Sequence, residues 1–390
     1  MKRRNWKRKL LHCRQNQQTE SDEENRHGSP LYLEWEDYME LNALMERRAR
    51  MNQKFGKELF GAVEIFEDVV NYDIEDELKL YHLQTAIEKA DGEEQEQLVK
   101  DFYNLYTSMK PKENPLERIY LWPEGNMPRN TEYTDNSDYK RKHNPDFRPY
   151  MYALTVDKSV QPKGAVVVVA GGDHGRCVIP EAYQTCLDLN ALGYQCFLLL
   201  NRVNHNPWSG EECGADTARA IRIIRANAEQ YRISPDRVGY AGFSNGGLTG
   251  DNCIRYFSGT QTVKDHFPDY IPDDLDAYSG APDAYCCIYG PRFQMDLLNP
   301  EKEDIVDYAK AIYPPTFIAV GREDFAMKNL YHYLNELVEH NIPVEVHTFA
   351  GVPHGIAGFK ILNGGVEQYP NFNLWLPLAD AFMQDAWKNR

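Results

Sequence analysis

Short apolar segments alternate with longer amphipathic segments between residues 150 and 387, and this alternation limits the folds open to the chain. The apolar segments, which we predict to be strands, are residues 150–156, 165–170, 195–200, 238–241, 284–288, 316–320 and 344–349. The amphipathic segments, which we predict to be helices, are residues 181–192, 215–231, 247–257, 328–340 and 375–387. Strands and helices of this length in alternation favour a doubly wound, mostly parallel sheet with helices on both faces. Such sheets bind their ligands at the carboxyl ends of the strands.

A serine lies between two glycines directly after the predicted strand 238–241. The pentad Gly242-Phe243-Ser244-Asn245-Gly246 fits the pattern G-x-S-x-G, in which the serine occupies a strained turn from a strand to a helix. The pattern alone is weak, because a chain of this length contains it by accident about one time in ten. The strand before it and the helix after it supply the required context, so we predict that Ser244 is a nucleophile. The alternative is a glycine-rich turn with an incidental serine.

A serine hydroxyl needs a base to take its proton, and the base needs a carboxylate to orient it. His354 follows the predicted strand 344–349 in a loop rich in glycine and proline, a position that favours catalysis over packing. Asp324 follows the predicted strand 316–320, with Glu323 as the adjacent rival. We predict His354 as the base, whereas position alone leaves Asp324 and Glu323 open as the acid, and the preference for Asp324 comes mainly from the family resemblance given below. The other downstream histidines lie inside a predicted helix or strand, where packing is the simpler role: His332, His340 and His347.

An acyl-transfer site also needs backbone N–H groups that bind the oxyanion. The predicted strand 165–170 runs directly into Gly171-Gly172-Asp173-His174-Gly175, where glycines let the backbone approach a substrate. We predict that the N–H of Gly172 or Asp173, together with that of Asn245, binds the oxyanion; a simple turn is the alternative. His174 and Trp208 are predicted walls of the substrate pocket. Trp208 offers an apolar face that can stack on a sugar, although a core or surface role fits it equally well.

The chain divides by composition into three segments. Residues 1–30 are rich in charged and polar side chains, and we predict a disordered tail. Residues 31–115 show helical periodicity, and we predict a helical extension that serves as a cap or an interface. Residues 116–390 carry the alternation of strands and helices, and we predict that they form the catalytic domain. Within them, the acidic insert 265–276 is a candidate lid.

Charge and cysteine content exclude several classes of function. The formal net charge of −16 argues against nucleic acid and anionic lipid as partners. The basic first fourteen residues are not followed by the apolar core of a signal peptide, and no later apolar stretch is long enough to span a membrane, so we expect a cytoplasmic protein. The eight cysteines include no C-x-x-C pair and no Cys/His metal spacing. We therefore expect reduced, buried cysteines, and neither a metal nor an organic cofactor.

Residues 116–390 resemble the α/β-hydrolase superfamily, in particular its acetyl xylan esterase-like and carboxylesterase group. Besides the motifs described above, the resemblance covers residues 121–125, 202–208, 216–221, 225–229 and 233–238. It implies the α/β-hydrolase fold, a triad of Ser244, Asp324 and His354, and the deacetylation of sugars or small esters. The chain departs from the family at the glycine loop, which reads Gly171-Gly172-Asp173-His174 instead of three glycines and an aromatic residue. It departs again at Asn245, where the family usually has alanine.

These observations together predict a serine esterase that hydrolyses small or sugar esters, such as acetylated xylo-oligosaccharides, through an acyl-enzyme. One alternative is a serine peptidase of the prolyl oligopeptidase type, although the chain lacks the repeats of the propeller that such enzymes usually carry. The other is a non-catalytic binding or scaffold protein that uses the helical extension as its partner surface. A homo-oligomer formed through the N-terminal helices is a further expectation. Acyl length, the alcohol part of the substrate and the oligomeric state stay open.

Overall fold

A single mixed sheet forms the centre of the computed structural model, which describes residues 69–129, 147–172, 177–203, 210–292, 305–356 and 369–388. The sheet has eight strands in the order β1-β2-β4-β3-β5-β6-β7-β8. The strands are β1 (Ile119–Tyr120), β2 (Tyr150–Leu154), β3 (Ala165–Val169), β4 (Gln195–Leu200), β5 (Val238–Phe243), β6 (Ala284–Ile288), β7 (Thr316–Gly321) and β8 (Val344–Phe349). The predicted bounds of β4, β6 and β8 are confirmed, and the other predicted strands differ by one or two residues at their carboxyl ends.

Helices connect the strands and precede the sheet. In the described part of the chain they are α1 (Ile74–Lys89), α2 (Gly92–Ser108), α3 (Ile179–Ala191), α4 (Gly210–Ala226), α5 (Asn245–Phe257), α6 (Val263–His266), α7 (Met327–Glu339) and α8 (Trp375–Lys388). The prediction for α4 was wrong at both ends, since residues 215–231 were expected. Residues 227–231 instead form hydrogen-bonded turns, for example from the Ala228 N–H to the Arg225 carbonyl at 3.2 Å.

The order of the strands determines where a ligand can bind. Strands β1, β2 and β4 pair antiparallel, whereas β4, β3, β5, β6, β7 and β8 pair in parallel. Strand β3 has β4 on one side and β5 on the other, so the chain changes its direction of winding between β3 and β5. A crevice outside the carboxyl ends of the strands is expected at such a point. Gly171 after β3 and Ser244 after β5 both lie there.

The sheet is buried on both faces, as a parallel sheet requires. All residues of β3, β4, β5, β6 and β7 are buried, and they pack against the apolar sides of the helices. Helices α1 and α2 of the predicted extension contribute Leu80, Ile87 and Phe102 to the same hydrophobic core. Lys112, which follows these helices, donates a hydrogen bond of 2.6 Å to the Tyr183 hydroxyl on α3. The described part of the extension is therefore packed against the layer of helices that covers the sheet.

Arginines of α4 hold the acidic insert 265–276. The Arg219 guanidinium lies 2.5 Å from the Asp273 carboxylate, and that of Arg222 lies 3.1 Å from Asp276. Both arginines are almost fully buried, so the two ion pairs attach the insert firmly to the helix. These contacts attach the end of the insert to α4, and the lid stays a prediction.

Six of the described cysteines are buried and form no disulfide, in agreement with the expectation of small apolar side chains: Cys186, Cys196, Cys213, Cys253, Cys286 and Cys287. Cys177 is half-buried. Burial raises the pKa of the Cys287 thiol to about 12, which keeps it protonated at neutral pH. In the ranges that the structure covers, no helix is both long enough and apolar enough to cross a membrane.

Candidate active site

Ser244 occupies a sharp turn between β5 and α5. Its backbone has φ 50° and ψ −117°, a combination that costs a residue with a side chain about 1–3 kcal/mol. The turn is held by a 2.9 Å hydrogen bond from the Ser244 N–H to the Ile288 carbonyl at the end of β6. The chain then enters α5 directly, since the Gly247 N–H donates to the Ser244 carbonyl at 2.9 Å. This is the geometry of a nucleophile elbow.

Close packing around the elbow explains why glycines surround it. A Cβ atom on Gly246 would lie 2.3 Å from the Val169 carbonyl oxygen, and one on Gly290 would lie 2.1 Å from the Ser244 carbonyl oxygen. Both obstacles are backbone atoms of the sheet and the elbow, which cannot move aside. Two buried tyrosines also brace the first turn of α5. Tyr240 donates to the Gly246 carbonyl at 2.5 Å, and Tyr285 donates to the Gly247 carbonyl at 2.6 Å.

The structure brings Ser244, His354 and Asp324 together. The Nε2 atom of His354 lies 2.8 Å from the Ser244 hydroxyl, and its Nδ1 atom lies 2.9 and 2.8 Å from the two carboxylate oxygens of Asp324. A carboxylate only accepts hydrogen bonds, so Nδ1 carries the proton and Nε2 is left with a free lone pair. The imidazole can therefore accept the serine proton. The His354 side chain is 24% exposed, which leaves room for a substrate beside it.

The two neighbouring acids after β7 lie in different environments. The Asp324 side chain is fully buried and accepts a 2.7 Å hydrogen bond from the Ala326 N–H, in addition to its contact with His354. Glu323 is exposed to solvent. Of the other downstream histidines, His347 lies within β8 beside Glu345 at 2.7 Å, and His332 lies within α7 near Glu336. Only His354 among the described histidines has a hydrogen bond to Ser244.

The structure describes part of the predicted oxyanion site, namely Gly172 and Asn245. Gly171 uses both of its backbone groups in the scaffold, since its N–H donates to Glu181 and its carbonyl accepts from the Val178 N–H. Gly172 follows with φ 140°, half-buried beside the elbow. Asn245 is buried at the start of α5, and its side-chain oxygen has no hydrogen-bond partner among the described residues. The remaining predicted site residues, Asp173, His174 and Trp208, lie outside the described residues.

Two residues near the triad were missed in the sequence analysis. Glu181, two residues into α3, is buried and accepts hydrogen bonds from the Gly171 N–H at 2.8 Å and from the Tyr289 hydroxyl. Burial raises the pKa of Glu181 to about 7, although both hydrogen bonds and the nearby His354 oppose the rise. Tyr289 also packs edge-on against His354, with ring centroids 4.9 Å apart. No local pattern in the sequence marks Glu181 or Tyr289, because their contacts join segments that are far apart in the chain.

Phe325 is a third residue that the motifs did not indicate. Its ring lies against the His354 imidazole, with centroids 4.4 Å apart, and 44% of the residue is exposed. An aromatic side chain beside the triad that keeps a solvent-facing surface can contact an apolar part of a substrate. Its position directly after Asp324 was the available signal.

A cavity of about 220 Å³ lies at the opposite edge of the sheet and is separate from the triad. Residues before β6 and β7 line it, among them Asp283 and Pro314. Asp283 is paired with Arg225 at 2.9 Å, so its charge is already compensated. The triad and the glycine loop lie at the carboxyl ends of the strands, where this fold binds its ligands.

Several solved structures share this fold. The acetyl ester-xyloside bifunctional hydrolase of Caldicellulosiruptor lactoaceticus superposes with a TM-score of 0.51 at 23% identity, over 68% of this chain and 96% of that one. The α/β hydrolase MGS-M1 from a deep-sea metagenome superposes with a TM-score of 0.50 at 19% identity, over 70% and 97%. Esterase 2 of the planctomycete Thermogutta terrifontis gives 0.50 at 18% identity, over 70% and 94%. The chain therefore has the α/β-hydrolase fold that its motifs predicted.

One curated protein also aligns in sequence. Endo-1,4-beta-xylanase B of Butyrivibrio fibrisolvens is 26% identical over an alignment of 247 residues that covers 58% of this chain. The aligned segment spans only 37% of that xylanase. No family model matches the chain.

Proposed function

We propose that this protein is a serine esterase. The observation that carries the proposal is the chain of hydrogen bonds from Ser244 through His354 to Asp324, with 2.8 Å between the serine hydroxyl and the imidazole. A serine in a strained elbow, hydrogen-bonded to a base that is itself oriented by a buried carboxylate, has the features of an activated nucleophile. The α/β-hydrolase fold and the esterases among its structural neighbours support the same assignment.

The proposed reaction has two steps, acylation of the serine and hydrolysis of the acyl-enzyme. In the first, the Ser244 hydroxyl attacks the ester carbonyl while His354 takes its proton, and the tetrahedral intermediate collapses as His354 returns that proton to the departing alcohol. In the second, His354 takes a proton from water, the water attacks the acyl-enzyme, and the acid leaves as Ser244 is reprotonated. Asp324 keeps the imidazole in the required tautomer and stabilises its charged form. The N–H groups of Asn245 and of Gly172 or Asp173 bind the oxyanion in both steps.

The finer proposal is that the natural substrates are acetyl esters of small sugars, such as acetylated xylo-oligosaccharides. Two independent similarities support a link to xylan: the fold resembles that of an acetyl ester-xyloside hydrolase, and the sequence aligns with part of a xylanase. The half-exposed Phe325 beside His354 offers an apolar face for one side of a sugar ring or for an acyl group. His174 and Trp208 are proposed as further walls of this pocket.

Hydrolysis of p-nitrophenyl acetate by the wild type and by Ser244→Ala tests the proposal. We expect wild-type turnover that falls at least about a thousandfold in the variant, because the nucleophile is lost while the oxyanion site remains. Ser279→Ala is the matched control, since Ser279 is exposed and its hydroxyl accepts only a local hydrogen bond from the Ala281 N–H. It should hydrolyse the ester like the wild type.

Two further substrates separate the alternatives. Release of acetate from acetylated xylo-oligosaccharides with a higher kcat/KM than from p-nitrophenyl acetate would support the sugar ester. Faster cleavage of a peptide p-nitroanilide than of any ester would instead identify a peptidase of the prolyl oligopeptidase type. Lack of turnover on all three substrates by a folded wild type would favour the non-catalytic scaffold.

A further inference from the structure

A buried carboxyl group lies between the glycine loop and the catalytic histidine. Glu181 is only 3% exposed, and its carboxylate accepts hydrogen bonds from the Gly171 N–H, 2.8 Å from Oε2, and from the Tyr289 hydroxyl, which contacts Oε1. An acidic side chain that is buried with no arginine or lysine beside it among the described residues is costly to keep, even when it is hydrogen-bonded. An uncharged side chain of the same size would pack at this position with less cost, so the carboxyl needs a functional explanation.

Glu181 determines the position of the backbone at the start of the predicted oxyanion loop. Its bond to the Gly171 N–H and the 2.8 Å bond from the Val178 N–H to the Gly171 carbonyl fix that residue from both sides. Gly171 lies directly against the nucleophile, because a Cβ atom placed on it would come within 3.0 Å of the Ser244 Cβ. A shift of Gly171 would therefore move the loop relative to the serine.

Tyr289 connects the same carboxyl to the base. Its ring packs edge-on against His354, and also contacts Phe243 and Phe372 at centroid distances of 5.9 and 6.1 Å. Its backbone has φ 41°, a left-handed conformation that a bulky residue rarely adopts. The Tyr289 hydroxyl that donates a hydrogen bond to Glu181 is therefore part of a ring that several contacts hold in place. One carboxyl touches the oxyanion side of the site directly and the base side through Tyr289.

We propose that Glu181 is a positioning residue of the esterase reaction, which holds the oxyanion loop through Gly171 and the His354 ring through Tyr289 in their working places around Ser244. This inference rests on the proposed function. Both carboxyl oxygens of Glu181 accept hydrogen bonds in this arrangement, which is the pattern of the ionised form. Protonation would turn one oxygen into a donor and force the bond with Tyr289 to reverse.

The charge of Glu181 also acts on the reaction. Among the described residues, the groups that face it are the Gly171 N–H, the Tyr289 hydroxyl and the His354 imidazole. A negative carboxylate near His354 stabilises the imidazolium that forms in each step. Because burial raises the pKa of Glu181 to about 7, this stabilisation is present above pH 7 and is lost as the pH falls through that value.

The variants Glu181→Ala and Glu181→Gln separate the positioning by hydrogen bonds from the effect of the negative charge. Glutamine keeps an acceptor for the Gly171 N–H but cannot become charged, whereas alanine removes the bond. We expect Glu181→Ala to lower kcat on p-nitrophenyl acetate about a hundredfold with KM within about threefold of wild type, as for the loss of one oxyanion donor. Glu181→Gln should lose only about tenfold in kcat.

The pH profile is the readout that a merely structural role would not change. In the wild type, kcat/KM should fall steeply as the pH drops through about 7, where Glu181 takes up a proton, whereas Glu181→Gln should show a shallower acid limb. Tyr289→Phe keeps the ring and removes the hydroxyl, and we expect it to lower kcat without changing KM. Gln184→Ala, one turn away on the same helix, is the control and should behave as the wild type.

The proposal is overturned if Glu181→Ala keeps wild-type kcat, or if Glu181→Gln shows the same steep limb as the wild type. An inactive wild type would instead reject the proposed esterase. In that case amide hydrogen exchange of the peptide 165–172 still tests the positioning: exchange should be faster in folded Glu181→Ala than in Glu181→Gln. Equal exchange in the two variants would reject the role of Glu181 independently of activity.

Discussion

Asp324 and Glu323 are adjacent acids with opposite surroundings, and the difference decides which of them can serve His354. The Asp324 side chain is fully buried, and its carboxylate contacts Nδ1 of His354 through both oxygens, while Glu323 is exposed. A carboxylate that orients an imidazole must be fixed and shielded from water, since water would weaken its field and compete for the hydrogen bond. Only Asp324 of the two meets this requirement.

Exchange of each acid for its amide gives a matched pair. We expect Asp324→Asn to lower kcat by about ten-thousandfold, because the amide can hold the imidazole in the wrong tautomer. Glu323→Gln should leave kcat within about twofold of the wild type, because that side chain faces solvent. The comparison uses p-nitrophenyl acetate hydrolysis at pH 8. Loss of activity in Glu323→Gln with retention in Asp324→Asn would reverse the assignment.

The sequence allowed the prediction of those residues whose role depends on a local pattern. Ser244 follows from the glycines around it, and His354 follows from its place at the end of a strand. Asp324 shares its place with Glu323, and the preference for Asp324 came mainly from the family resemblance. Glu181 and Tyr289 could not be predicted in the same way, because their relation to His354 depends on three segments that are far apart in the chain. The buried charge of Glu181 became visible only once the packing of α3 against the sheet was known.

At the scale of elements, the unit formed by β5, the elbow and α5 depends on close approach between backbones. Gly246 faces the Val169 carbonyl of β3, and Gly290 faces the Ser244 carbonyl. These contacts connect the nucleophile to both neighbouring strands. The alternation of strands and helices predicted this unit correctly, because buried parallel strands are continuous apolar runs. The start of α4 was misplaced by five residues, since its first turn contains Glu211 and Glu212, polar residues that carry no apolar periodicity.

Replacement of an elbow glycine should damage stability and activity together. A methyl group at Gly246 would lie 2.3 Å from the Val169 carbonyl oxygen, so we expect Gly246→Ala to lower the free energy of unfolding by at least about 3 kcal/mol and to abolish esterase activity. Gly125→Ala is the control. Gly125 also has a left-handed backbone, φ 76°, but faces open space, so strain of about 1–2 kcal/mol is the only cost. Urea unfolding and ester hydrolysis measure both effects, and equal losses in the two variants would contradict the packing argument.

At the scale of the whole molecule, buried charge makes the folding stability depend on pH. The pKa of Glu181 rises from its ordinary value of 4.5 to about 7 in the folded protein, and burial is the main cause. Between these two values the folded state keeps a proton that the unfolded chain releases. The contribution of Glu181 to the free energy of unfolding therefore falls as the pH rises through this window, by roughly 3 kcal/mol in total. The folded protein is therefore less stable at the pH values where Glu181, beside His354, is ionised.

Glu181→Gln should for this reason be more stable than the wild type at pH 8 and close to it at pH 4.5. The difference in Tm between the variant and the wild type should increase steadily across this range. Glu94→Gln, an exposed change in the first turn of α2, provides the control and should show a small, constant difference. A Tm difference for Glu181→Gln that is independent of pH would mean that Glu181 does not titrate in this window, and that its charge plays no part in the site.

The central claim is that Ser244 is the activated nucleophile of an esterase. Reaction with paraoxon tests it directly, because a serine activated by His354 displaces p-nitrophenol and retains a diethylphosphoryl group. We expect one equivalent of p-nitrophenol per chain, loss of ester hydrolysis in parallel, and the phosphoryl group on the peptide that contains Ser244 by mass spectrometry. Ser244→Ala should not be labelled. A wild type that hydrolyses esters while Ser244 stays unmodified, or a label on another residue with loss of activity, would contradict the account.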